Sequence, residues 1–207
     1  MKWIALTLVA AATGGLFAAQ FGQGQSRSAP AAVSHAFIPQ DTDTRLYLTP
    51  AQQRQASAEG GFRQVPRSLL RVDRQMQYGD FTWNEDGVPA GPITIRVDLR
   101  TQLMSVFRGG HEIGTAVALY GADSKETPLG SFPILWKGRD HRSSLYDAPM
   151  PFTLRLTGDG VAIHGSDVRL GAATHGCVGV PTEFARLLFE QSRTGDVVTI
   201  VRTTSQA

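Results

Sequence analysis

Apolar and polar positions alternate most regularly in the C-terminal half of the chain. Ile93-Thr94-Ile95-Arg96-Val97-Asp98-Leu99 changes character at every residue, the period of a strand with one covered face. After a short turn, Leu103-Met104-Ser105-Val106-Phe107 repeats the pattern and is predicted to pair with it as a hairpin. Gly109-Gly110 makes the next turn into a third strand, Glu112 to Leu119. Further strands are predicted at 132–136, 152–156, 161–164 and 197–201. Before the last of these the period lengthens. Thr182 is expected to cap a helix running to about Ser192, with Phe184, Leu187 and Leu188 on its inner face. Short strands, many turns and one late helix describe a mainly β domain, a β-sandwich or barrel-like fold.

The N-terminal half reads differently. Met1-Lys2-Trp3 precedes an uncharged run, Ile4 to Ala19, with the shape of an export signal. Phe17 stands where a cleavage site prefers a small side chain, so residues 1–19 are expected to act either as a cleaved signal or as a single membrane anchor. Both place the rest of the chain outside the cytoplasm, and the periplasm is the expected compartment. Residues 20–48 read as a flexible tether, rich in Gln, Ser, Ala and Gly over their first half. Residues 49–90 open with a short helix capped by Thr49, with Pro50 at its first position and Gly60-Gly61 at its end. That helix is polar on most faces, so the segment is expected to lie at the periphery of the main domain, residues 91–202.

Composition narrows the function. The 207 residues are 42% hydrophobic, enough for a core, and 22 glycines with 11 prolines suit a turn-rich β fold. A net charge of +2 without Lys/Arg runs argues against nucleic acid as a partner. The single cysteine excludes an internal disulfide and a Cys-rich metal site, and no cofactor or metal is expected.

That cysteine, Cys177, sits in Thr174-His175-Gly176-Cys177-Val178-Gly179. A thiol becomes a useful nucleophile when a base removes its proton, and an imidazole can hold the thiol pKa well below about 8.5. His175 lies only two residues away. His164, at the end of the apolar strand Val161-Ala162-Ile163, can meet Cys177 across the sheet and is the better placed base. Gly176 allows a tight turn that could aim successive N–H groups at a developing oxyanion. His141, in a polar loop at 138–144, is expected to be solvated.

Thr127-Pro128-x-Gly130-x-Phe132, His164-Gly165 and Thr174-His175-Gly176-Cys177, in that order, resemble the L,D-transpeptidase catalytic domain of the YkuD type from about Pro92 to Val201. The resemblance implies acyl transfer on peptidoglycan stem peptides: the thiol attacks the carbonyl of the diamino acid, D-alanine leaves, and an amine or water resolves the thioester. It implies Cys177 as nucleophile and His164 as general base, with the Gly165 carbonyl on the other ring nitrogen. The amides of His175, Gly176 and Cys177 would form the oxyanion hole. His175 would shape the site, and Thr174 would support the loop. Two departures stand out. Gly179 occupies a place where the family usually carries arginine, and the spacer from His164 to Thr174 is short. Arg142, Arg155 and Arg169 are the candidate replacement cations. The rival expectations are an L,D-carboxypeptidase or endopeptidase on the same scaffold, and a wall-binding module that has lost catalysis.

Overall fold

The computed structural model describes residues 43–121, 125–144 and 147–204; the predicted leader and residues 20–42 of the predicted tether lie outside them. The order of elements is β1 (Arg45–Tyr47), α1 (Pro50–Glu59), β2 (Ser68–Leu70), β3 (Phe81–Trp83), β4 (Ile93–Asp98), β5 (Leu103–Arg108) and β6 (His111–Val117). It continues with β7 (Gly130–Pro133), β8 (Trp136–Arg142), β9 (Pro149–Arg155), β10 (Ala162–Ser166), β11 (Val178–Pro181), α2 (Thr182–Gln191) and β12 (Val197–Val201). The chain is mainly β, as its alternation predicts.

The strands form two sheets. The larger runs β1-β2-β6-β5-β4-β12-β7, with β3 also on β6, and the smaller runs β11-β10-β9-β8. The predicted 93–107 hairpin is present with Ile95 opposite Val106 and Val97 opposite Met104. Those four side chains are at most 2% exposed and face a common core with Leu154, Ile163, Val178 and Val180 from the smaller sheet. Helix α2 adds Phe184 and Leu188, both fully buried, each contributing about 1.5–3 kcal/mol relative to exposure.

Three expectations need correction. Part of the predicted tether, 45–47, is a strand antiparallel to Ser68–Leu70, and the segment 49–90 is not peripheral. Phe81, Thr82 and Trp83 extend the large sheet along β6, and the rings of Phe81 and Trp83 meet Phe184 edge-on at 5.9 and 5.4 Å. Arg45, 3% exposed, fastens the addition. Its guanidinium donates to Ser68 Oγ at 3.2 Å, the Glu112 carbonyl at 2.5 Å and the Asn84 carbonyl at 3.0 Å. Short, irregular strands carry no period to read, so only pairing reveals them. Helix α1 does form where expected, with Thr49 Oγ1 accepting from Gln52 N–H at 3.4 Å and Gln52 Oε1 accepting from Thr49 N–H at 2.9 Å.

The third correction concerns α2. Pro181 is its cap residue and no side chain caps it; Thr182 is already helical. The chain passes directly from β11 into the helix, so no loop remains in which a threonine could turn its hydroxyl onto the first amides. Ala185 rather than Leu187 joins Phe184 and Leu188 on the buried face.

Candidate active site

The site lies where β10 and β11 run side by side. They pair in parallel, with His164 opposite Gly179 and Ser166 opposite Pro181. The 178–181 strand had no alternating signature, being four residues between a Gly-rich loop and a helix. With Ile163 opposite Val178, Cys177, the residue before β11, stands level with the start of β10, two residues from His164; His164 does not close its strand as expected but lies at its middle, since β10 continues to Ser166. Both side chains line one cleft of about 940 Å3, which β8, β9 and the 167–176 loop also border.

His164 is 9% exposed. Its Nδ1 stands 2.9 Å from the Gly165 carbonyl oxygen and 3.2 Å from Ser166 Oγ. A carbonyl only accepts, so Nδ1 carries the proton and Nε2 keeps its lone pair. Burial pushes the imidazole below its ordinary pKa; the Gly165 hydrogen bond opposes this, and the charge of His141 adds to it. His141 is therefore not the solvated loop residue expected. It sits on β8, lines the cleft and meets the Trp136 ring edge-on at 5.2 Å.

Cys177 is half-buried, and its Sγ donates weakly to the Gly160 carbonyl at 3.7 Å. Burial pushes the thiol above its ordinary pKa of 9.0, against the Ala162 backbone hydrogen bond and the charges of Lys125 and Arg155. The expectation of a thiol acidified by imidazole is thus reversed at rest: removal from water penalises the thiolate and the imidazolium alike. A neutral thiol and a neutral imidazole share the cleft.

The loop that presents the thiol is held by two threonines. Thr174 Oγ1 donates to the Cys177 carbonyl at 2.5 Å, and Thr127 Oγ1 donates to the same oxygen at 3.4 Å while accepting from Gly121 N–H at 2.8 Å. With its carbonyl turned to these hydroxyls, the 175–177 segment is free to direct amides elsewhere. Gly176 adopts φ +96°, where a side chain would be strained. His175 is exposed at the rim of the cleft. Gly165 packs so closely that a Cβ would stand 3.1 Å from both Pro151 Cγ and Thr182 Cα.

Thr127 stands in the first motif without a role of its own there, and Ser166, Lys125 and His141 join the cleft only in the folded chain. Only Thr127, set in its Pro/Gly turn, carried a local signal. The departure at Gly179 has a steric counterpart: a Cβ there would stand 2.7 Å from Ser166 Oγ and 3.0 Å from Ser166 Cβ. Ser166, turned toward the His164 ring, fills the space a side chain at 179 would enter. Of the suggested replacement cations, Arg155 and Arg169 border the cleft, whereas Arg142 pairs with Asp147 outside it. Among the described residues no three His, Cys, Asp or Glu side chains are grouped to hold a metal ion, and no helix is long and apolar enough to cross a membrane.

Two face-packed sheets, with a buried imidazole on one of two parallel strands and a thiol just before the other, define a β domain built around one cleft. The chain belongs to the L,D-transpeptidase catalytic domain family, YkuD, whose model matches residues 92–200, more than half of its length. Solved structures similar to it include an L,D-transpeptidase from Stackebrandtia nassauensis, with 24% identity, 56% of this chain and 60% of that one covered, and a TM-score of 0.50. Others are L,D-transpeptidases from Mycobacterium tuberculosis (23%, 52% and 57%, TM-score 0.49) and Mycobacterium smegmatis (20%, 56% and 58%, TM-score 0.49). The similarity thus spans less than two thirds of each of these proteins. No curated protein matches the chain.

Proposed function

We propose that the protein is a cysteine-dependent acyl transferase acting on peptidoglycan stem peptides, exported to the periplasm by its N-terminal segment. The observation that carries this reading is the pairing of β10 with β11, which puts the thiol of Cys177 and the imidazole of His164 in one cleft with Nδ1 committed to a carbonyl. As Cys177 Sγ attacks the carbonyl carbon of the stem, its proton passes to His164 Nε2. The oxyanion is received by the amides of His175, Gly176 and Cys177; losing one such donor typically costs about 2.7–4 kcal/mol. His164 then gives the proton to the departing D-amino acid, the C–N bond breaks, and the acyl group remains as a thioester. An acceptor amine adds to that carbonyl, loses its proton to His164, and releases the sulfur, which recovers the proton.

The proton is passed as the carbon–sulfur bond forms, because a separate thiolate and imidazolium would both be penalised in a desolvated cleft. Ser166 occupies the space beside Gly179, so a side chain there would have to displace it. Incubation with disaccharide tetrapeptide tests the reading by mass spectrometry of the products. Crosslinked dimers or exchanged D-amino acids, lost in Cys177→Ala, are expected. Tripeptide alone would make the protein a hydrolase, and absence of any Cys177 adduct with substrate or a carbapenem would leave a binding module.

A further inference from the structure

The cleft contains a cation that neither the motifs nor the proposed chemistry uses. Of the arginines bordering it, Arg169 is ion-paired with Asp167 at 3.1 Å, and Arg155 donates through Nε to the Thr157 carbonyl at 2.8 Å and through Nη2 to the Gly158 carbonyl at 3.0 Å. Lys125 differs. It lines the same cleft, half-buried, and makes no hydrogen bond or ion pair with any described residue. Its stem lies along the loop that precedes the thiol: a Cβ at Gly176 would stand 3.2 Å from Lys125 Cγ and 3.4 Å from Cδ and Cε. Gly176 needs to be glycine for its dihedral, and the lysine stem packs against it. The lysine's charge acts on Cys177 and on Asp159 at the cleft rim.

A half-buried lysine in the same cleft as the thiol favours an anion brought by the substrate. In a donor whose scissile bond precedes its last residue, that anion is fixed by covalent geometry. The terminal α-carboxylate is one Cα beyond the scissile nitrogen, roughly 4–5 Å from the carbon under attack. Building on the acyl transfer proposed above, we propose that Lys125 is a specificity-determining residue that receives the C-terminal carboxylate of the departing D-amino acid. The site thereby selects donors ending one residue past the attacked carbonyl. A longer stem, or one already crosslinked there, would put an uncharged amide against the ammonium.

Two measurements on the full chain test this. In the first, Cys177 is alkylated with iodoacetate and with iodoacetamide, in wild type, Lys125→Gln and Lys125→Arg. Any change in thiol acidity affects both reagents alike, so their rate ratio reports only the attraction of an anion to the thiol. The ratio is expected to fall about fivefold in the glutamine variant, as for an ion pair of about 1 kcal/mol, and to be retained in the arginine variant. In the second, turnover is compared for tetrapeptide stems ending in carboxylate or in carboxamide. Wild type is expected to prefer the carboxylate by about fivefold or more in kcat/KM, and Lys125→Gln to lose that preference. An unchanged alkylation ratio overturns the anion site, and an unchanged peptide preference overturns its assignment to the leaving group. If wild type turns over neither peptide while the alkylation ratio still falls, the acyl-transfer reading fails and the leaving-group assignment with it, leaving an anion site at Lys125.

Discussion

Gly121 stands between the two loops that frame the thiol, and replacing it by alanine tests how the fold holds the oxyanion donors. The residue is buried, bridges Thr174 and donates its N–H to Thr127 Oγ1. A Cβ there would stand 2.7 Å from Gly176 N and 2.8 Å from Gly176 Cα, and closer still to the Lys125 carbonyl oxygen. All three are backbone atoms, so no rotamer change relieves the contact and the loops must separate. Overpacking of this kind costs about 1–3 kcal/mol. At about 2–4 °C per kcal/mol for a domain of this size, the melting temperature falls by about 2–12 °C. The rate should suffer more, because the displaced amide at Gly176 is one of the proposed oxyanion donors. Losing it slows acylation by about 10²–10³. Intact-mass kinetics of carbapenem acylation at Cys177, run well below the melting temperature, separates the two effects. Gly158→Ala is the control, since a Cβ there meets nothing within 4 Å and stability should stay within about 0.5 kcal/mol. The reasoning is refuted if Gly121→Ala acylates within about threefold of wild type.

Two further predictions follow from the buried groups. The proposed acylation requires neutral His164, whose pKa burial holds below 6.5. The rate constant should therefore rise with pH through a midpoint below that value and be flat at neutrality, and a midpoint above 7 would contradict the neutral-pair account. Arg45→Met, which leaves the Glu112 and Asn84 carbonyls without this donor, should destabilise the domain by about 2–4 kcal/mol in urea unfolding. A peripheral segment would show no change.

What could be read in advance follows from the range of each interaction. The 93–107 hairpin, α1, α2 and β12 announce themselves because alternation, helical period, caps and Gly turns are local. Cys177 and His164 were legible as candidates because the sequence has only one thiol and because a histidine closing an apolar strand is an unusual choice. What the residues around Cys177 could not reveal is its electrostatic state, since burial is a property of everything packed around it. Nor could they reveal that 45–83 completes the large sheet, since three-residue strands are defined only by their partners. Ser166 beside Gly179 and Lys125 across Gly176 belong to the same class. The chain's own pattern determined a mainly β domain, sandwich or barrel-like, with one thiol and a histidine on an apolar strand as its candidates. Tertiary structure alone decided which atoms face them, because the contacts that tune a pKa or aim a charge join residues whose distance in space bears no relation to their distance along the chain.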